Sequence, residues 1–425
     1  MKLKLFAFII LTAVAQSFGQ YVSGRLSTSF YGWQGRSISN AKLNFLRGYE
    51  TIQLDASQGK FSLGTNFQVS SDFTEKPGTD PELRLTSFVL RARRIADLVD
   101  VSVGRQFVFA GVGNGMIDGA SLKSSFLDGK IGAQVYGGFT VFETRTLSWN
   151  KKLADNAFYG AQVTGSPLEQ LLVGASYMKR TRTPDAFRVV RTDSLFNPYL
   201  VTVAQTPNEE EYASVDANYT INPRMSVYGR ADYDLNYSLL SRGEFSARVG
   251  VLPAMHVTAG YLLREPRISY NSIFSVFTSN STQEIEGGVE YDFAPTIRTF
   301  ARFGYVAYKD DNSQRISLGG SYEFLSASFT HNVGYAGDLN GISIQAVYPL
   351  RDRVFIPSVG FGYGSYKVSA DDATNTVLNA SLGLTYRPMP KLSADVQAQV
   401  LQNRLYNNDV RIFLKVNYWF STKLN

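Results

Sequence analysis

From Tyr21 to Phe420 the sequence repeats one pattern: stretches of about ten residues in which apolar and polar side chains alternate, divided by turn residues. Period two puts successive side chains on opposite faces of a strand. In Val410 to Phe420 one face holds Val410, Ile412, Leu414, Val416, Tyr418 and Phe420, and the other holds Arg411, Phe413, Lys415, Asn417 and Trp419. Leu392 to Val400 sets Leu392, Ala394, Val396, Ala398 and Val400 against Ser393, Asp395, Gln397 and Gln399. Glu284, Glu286, Glu290 and Asp292 lie opposite Ile285, Val289, Tyr291 and Phe293. Such a chain has two solutions: a soluble sandwich or β-helix, or a closed sheet whose apolar face meets hydrocarbon.

Three features favour the membrane. Charged residues make up only 18% of the chain, against about 25% in soluble domains. Aromatic residues cluster at strand ends: Tyr233 and Tyr237, Tyr305 and Tyr308, and Tyr418, Trp419 and Phe420. The N-terminus reads as an export signal, with Lys2 and Lys4 before an apolar run from Leu5 to Ala15. Ser17 and Gly19 stand at −3 and −1 for cleavage before Gln20. That run is shorter than the ~20 residues of a spanning helix, and no later segment reaches that length. Residues 1–19 are therefore read as a cleavable signal and 20–425 as one barrel domain.

The connections fall into two classes that alternate along the chain. Ser57 to Gly59, Asn222 to Arg224, Leu252-Pro253, Ala294-Pro295 and Pro388 to Lys391 are short, and most carry Pro. Thr74 to Glu82, Thr144 to Asp155, Thr181 to Glu209, Glu265 to Thr282 and Ser369 to Asn375 are longer or more charged. Outer-membrane barrels have short periplasmic turns and longer outer loops. The order predicts both termini in the periplasm and an even strand count of about 22, with 18 as the lower bound. The expected fold is all-β: one transmembrane antiparallel barrel. Strand 1 starts directly after the signal, so no separate plug domain is expected.

Val103-Gly104-Arg105-Gln106 followed by Asp118-Gly119 resembles the large bacterial porins of the specific-channel and phosphate-porin type. That resemblance implies a diffusion channel, a loop folded into the pore and Arg105 facing the lumen. Basic residues are not concentrated as phosphate selectivity would need. The inward-facing charged candidates are Arg230, Asp232 and Asp234, then Arg248, then Glu286, Glu290 and Asp292, with Arg302, Arg315, Asp395, Arg411 and Lys415 further on. Rings of charge can set ion selectivity; scattered charges can equally pair with neighbouring strands.

Other chemistries find little support. The chain has no Cys and 2 His, so thiolate sites, disulfides and a three-His metal site are excluded. His256 and His331 sit in separate strands, and no enzyme is expected. Ala110 to Gly115 is glycine-rich but lacks the following helix and Lys-Ser/Thr of a phosphate loop; it reads as a loop bending freely between strands. The charge balance is 42 Lys and Arg against 36 Asp and Glu, or +6. Losing Lys2 and Lys4 leaves +4, with no dense basic run, which argues against nucleic acid. Glu209 to Glu211 and Asp371-Asp372 read as solvated outer-loop acids.

The leading expectation is a passive outer-membrane channel for small hydrophilic solutes, without cofactor, embedded among lipid and lipopolysaccharide. Thr181 to Glu209 and Glu265 to Thr282 are the loops expected to fold inward and narrow the pore. Two alternatives stay open. One is a sheath around a housed partner such as a cytochrome or lipoprotein; the other is an outer-membrane enzyme or surface-assembly protein. A homo-oligomer is compatible with any of these.

Overall fold

A computed structural model describes residues 21–423 except 37–41, 75–79, 143–144, 146–151, 185, 267–279, 310, 336, 368–371 and 405–407. The signal-peptide reading, residues 1–19, lies outside the described residues, as does most of Glu265 to Thr282.

The strands follow the alternating stretches. The first nine are β1 (Tyr21–Arg36), β2 (Lys42–Gln58), β3 (Phe61–Asp72), β4 (Glu82–Ile95), β5 (Val99–Ala110), β6 (Gly113–Phe126), β7 (Ile131–Thr140), β8 (Ala157–Leu168) and β9 (Leu171–Arg182). A short pair, β10 (Phe187–Thr192) and β11 (Pro198–Val203), comes next. Then follow β12 (Asn208–Asn222), β13 (Met225–Asp234), β14 (Leu239–Leu252), β15 (Met255–Arg264), β16 (Thr282–Ala294), β17 (Ile297–Tyr308) and β18 (Asp311–Tyr322). The last six are β19 (Leu325–Gly334), β20 (Asp338–Val347), β21 (Phe355–Lys367), β22 (Asn375–Met389), β23 (Leu392–Gln402) and β24 (Asp409–Lys423).

All but β10 and β11 belong to one 22-stranded antiparallel sheet. Each strand pairs with its neighbour in sequence; β9 pairs with β12 across the inserted hairpin. β24 closes on β1, from Tyr21 opposite Lys423 to Gly32 opposite Ile412. Closure leaves no row of unpaired backbone groups at an edge, which hydrocarbon would penalise by several kcal/mol per group. The expected barrel and its upper strand count are what the chain forms.

Faces follow parity. In β22 exposure alternates residue by residue, with Leu378, Leu382 and Leu384 outward and Asn379, Ser381 and Thr385 inward. Aromatic rings gather toward both ends. At the end carrying the termini, Tyr291 meets Phe293 at 4.4 Å, Phe324 meets Tyr348 at 5.0 Å and Phe355 meets Tyr386 at 4.9 Å between ring centroids. Toward the other end Tyr308 stacks on Tyr335 at 5.0 Å.

Seven connections at the terminal end span two residues, among them 223–224, 253–254 and 295–296. Register shifts precede several of them, at Thr220/Asn222, Gly250/Leu252 and Asp292/Ala294. Proline, which lacks an N–H for the ladder, stands in each of those three turns. The Asn222 side chain accepts the Arg224 N–H at 2.8 Å and shapes its turn. The connections of nine residues or more all lie at the opposite end.

Candidate functional site: the barrel lumen

The β5–β6 hairpin leaves the wall. β4 pairs with β5 only as far as Arg105, and β6 pairs with β7 only from Ile117. The β5–β6 ladder itself runs on to Ala110 opposite Gly113. The extra length folds inward and lies against the inner faces of β7, β8, β9 and β12. Val108, Ala110, Val112 and Ile117 of the hairpin bury with Tyr136, Phe158, Met178 and Tyr212 of the wall. Tyr136 and Phe158 meet edge to face at 5.2 Å. Fully burying each large apolar side chain contributes about 1.5–3 kcal/mol, so the seat is strong. The Val112 N–H donates to Ser176 Oγ of β9 at 2.9 Å and fixes the tip.

Glycine is required at two points. Gly104, at the bend, has φ +123° and sits where a Cβ would lie 2.2 Å from the Phe88 carbonyl oxygen. Gly113, at the tip, leaves room for the Tyr136 hydroxyl, which a Cβ would approach to 1.8 Å. The glycine-rich stretch is thus a close-packed tip seated on the wall rather than a freely bending loop. Because one face of the hairpin is against the wall, its alternate residues Phe107 and Phe109 turn toward the open lumen, 60% and 70% exposed.

Arg105 anchors the bend. Its guanidinium grips Asp118 directly across the ladder, Nε to Oδ1 at 2.7 Å and Nη2 to Oδ2 at 2.6 Å. Nη1 also donates to the carbonyls of Leu85 at 3.1 Å and Arg145 at 2.9 Å. The Leu85 N–H in turn donates to the Arg145 carbonyl, and the Val141 N–H to that of Met116. The chain after β7 therefore bonds to β4 where the hairpin has departed. Arg105 is 5% exposed and its charge is spent on these partners, not on the lumen.

The remaining charged candidates fall into two sectors of wall. β16 carries an inward acidic stripe matched by arginines from β14, β17 and β18. Glu290 pairs with Arg248 at 3.1 Å and with Arg302 at 3.4 Å. Arg315 bridges Glu284 and Glu286, the latter at 2.6 Å. Asp292 pairs with Arg298 at 2.7 Å. These side chains are a quarter to two-thirds exposed, so each pair contributes little stability, on the order of 0–1 kcal/mol. Together they set charges of both signs along the inner face of these strands.

On β13, Arg230 donates to Asp232, at 2.7 Å from Nε, and Ser214 donates to the same carboxylate at 2.6 Å. Asp232 is fully buried. Asp234 accepts the Asn236 and Tyr237 N–H groups at 3.0 and 3.1 Å and caps the β13–β14 turn. Both carboxylates are buried and engaged within the wall.

The second sector, β22 to β2, is lined by amides, hydroxyls and rings. Asp395 accepts from Thr385 at 2.6 Å and Asn417 at 3.3 Å, with Lys415 opposite it in register. Arg411 pairs with the buried Asp409 at 2.8 Å. Parity on a single strand could have revealed Asp409 from Arg411, as it placed Glu284 beside Glu286. The cross-strand partners Asp118 and Arg298 needed the register.

The loop from Thr181 to Glu209, expected to narrow the pore, is not seated on the inner wall among the described residues. It forms the β10–β11 hairpin, Phe187 opposite Val203, with Val190, Leu195, Phe196 and Leu200 exposed.

No protein-family model matches the sequence, and no curated protein matches it. Solved structures do. The FrpB iron transporter from Neisseria meningitidis superposes with a TM-score of 0.58 at 10% identity, covering 96% of this chain and 84% of that one. The siderophore receptor PirA from Pseudomonas aeruginosa gives 0.57 at 12% identity, covering 93% and 80%. The fold is that of an outer-membrane β-barrel. At these identities the likeness is one of fold alone. The outer membrane protein opdK from Pseudomonas aeruginosa also matches, with a TM-score of 0.42 at 10% identity, covering 96% of this chain and 100% of that one.

Proposed function

We propose that the protein is a passive channel of the bacterial outer membrane for small hydrophilic solutes. The carrying observation is the lumen itself. A ring of 22 strands encloses more space than wall side chains can fill, since barrels of about 16–18 strands already hold an aqueous channel. Among the described residues one element, the β5–β6 hairpin, folds across that space. The inner wall is polar and ion-paired, a surface suited to water and not to lipid or a dry core. The hairpin narrows the passage on the side of β7 to β12 and leaves the β14–β18 charges and the β22–β2 amides as its lining.

In this reading the short-turn end and both termini face the periplasm, and the long loops face outward among lipopolysaccharide. The thirteen sequence candidates divide accordingly. Arg248, Glu286, Glu290, Asp292, Arg302, Arg315, Asp395, Arg411 and Lys415 line the pore, with Arg230 at its margin, while Arg105, Asp232 and Asp234 shape the wall and the hairpin. The test is planar-bilayer recording of the refolded mature chain. Discrete, ohmic conductance steps are expected; a folded barrel that inserts without conducting would refute the channel.

A further inference from the structure

One recess of the lumen differs from the rest. Tyr31, Tyr49, Gln397, Gln399, Arg411 and Phe413 surround a hollow of about 450 Å³ on the inner wall where β1, β2, β23 and β24 meet. That volume is in the range of small-molecule sites, about 300–1,000 Å³. Three aromatic side chains supply apolar ring surface. Behind them Tyr31 stacks on Trp33 at 5.2 Å, and Trp33 on Phe45 at 5.1 Å. Parity places both on the same inner face, toward the long-loop end. A stacked ring is held in one orientation, so the recess offers a rigid surface.

The polar groups are neutral in sum. Arg411 is bound by Asp409, which is buried and also accepts the Gln34 N–H at 3.3 Å. Its charge is thereby cancelled, and an anion gains little here. What remains are two carboxamides and two phenols, groups that both donate and accept hydrogen bonds. Gln399 is oriented by Asn379, to which its amide donates at 2.9 Å.

Rigid ring faces beside neutral two-way hydrogen-bonding groups match one class of solute: a ring with an apolar C–H face and a rim of hydroxyls. We propose that this recess binds neutral pyranose sugars on their way through the channel. The inference rests on the channel reading above and adds the solute class. Sugars meet the wall first at the Phe45–Trp33 stack, then at Tyr31, and settle between Tyr49, Phe413 and the glutamines. A site built to bond hydroxyls discriminates strongly against solutes that lack them.

The test uses the refolded mature chain in a bilayer, with maltotriose as probe and polyethylene glycol of the same mass as control. Maltotriose is expected to reduce the open-channel current saturably, and the glycol not to. Tyr31→Ala and the milder Gln397→Leu should each raise the half-blocking concentration, by about tenfold for the ring. Intrinsic fluorescence of the detergent-folded protein, in which Trp33 abuts the recess, should shift with the same saturation. Equal effects of sugar and glycol, or variants that block like the parent, would overturn the proposal while leaving the channel standing. A chain that never conducts yet shows sugar-saturable fluorescence would overturn the channel and keep the site. Neither signal overturns both.

Discussion

Arg105 and Asp118 face each other across the β5–β6 ladder, joined by two hydrogen bonds of 2.7 and 2.6 Å at the point where the hairpin leaves the wall. Two main-chain carbonyls, of Leu85 and Arg145, also accept from the guanidinium. A single side chain thus ties together the hairpin, β4 and the segment that fills the gap. Arg105→Ala removes all of this at once. Asp118 is partly exposed and can be solvated once its partner is gone, so the loss is that of charge-assisted hydrogen bonds, about 1.5–3 kcal/mol. The expected result is a barrel that still folds, with a lower unfolding temperature in detergent and a noisy, larger conductance. A quiet channel of parental size would show that the pin does not hold the constriction.

The hairpin seat gives a sharper test. Gly113→Val drives a side chain into the Tyr136 hydroxyl, where even a Cβ stands only 1.8 Å away. It should unseat the tip and raise conductance as much as deleting Val108 to Met116 does. Deleting residues 186–206, the exposed β10–β11 hairpin, should leave conductance unchanged. The reverse ranking would place the constriction in the outer loop.

Charge removal in the β16 sector should shift selectivity in opposite senses. Glu290→Gln leaves Arg248 and Arg302 without their shared carboxylate, and the pore should favour anions more. Arg315→Ala leaves Glu284 and Glu286 unneutralised, and it should favour cations more. Reversal potentials across a tenfold salt gradient read the sign directly. Shifts in the same direction, or none, would remove this wall from the ion path.

Leu382 lies mid-strand on β22, 63% exposed and outward. Its neighbour Ser381 points inward. Leu382→Arg should destabilise the bilayer-folded protein by about 2–4 kcal/mol, the penalty for Arg at the bilayer midplane. Ser381→Arg should cost far less, because the lumen is wet. Equal costs in a denaturant titration from vesicles would contradict the assigned faces.

The turn of the β10–β11 hairpin is sensitive to acid. Asp193 accepts the Leu195 and Asn197 N–H groups at 2.8 and 2.9 Å, and the Asn197 amide at 3.2 Å. The backbone and side-chain bonds from Asn197 hold its carboxyl below the usual aspartate range. A depressed folded-state value means the stabilisation is complete above the ordinary range, near ~4, and fades as pH falls through the depressed value. Hydrogen exchange at the Leu195 and Asn197 amides should accelerate relative to its intrinsic rate only in strong acid. Asp193→Asn should abolish that pH step.

Alternation and turn length along the chain suffice to assign side chains to the two faces of the wall, to make the strand count even and to bring both termini to one end. Those properties are local: parity follows from the two-residue period of a strand, and turn length is written in consecutive residues such as Asn222-Pro223-Arg224. The sequence also placed Glu286, Glu290 and Asp292 on one inward stripe. The packing inside the barrel follows from the tertiary structure. The glycines of the β5–β6 tip look flexible in sequence, yet their missing side chains are what let Tyr136 and Ser176, strands away on the wall, press against the hairpin. The Thr181 to Glu209 loop looked inward-folding from its composition, but Phe187 to Thr192 pairs with its own Pro198 to Val203 and, among the described residues, is not seated on the inner wall. Arg105 likewise reads as a pore charge until the register brings Asp118 opposite it. Such contacts depend on closure and stagger, which join residues that no local period relates.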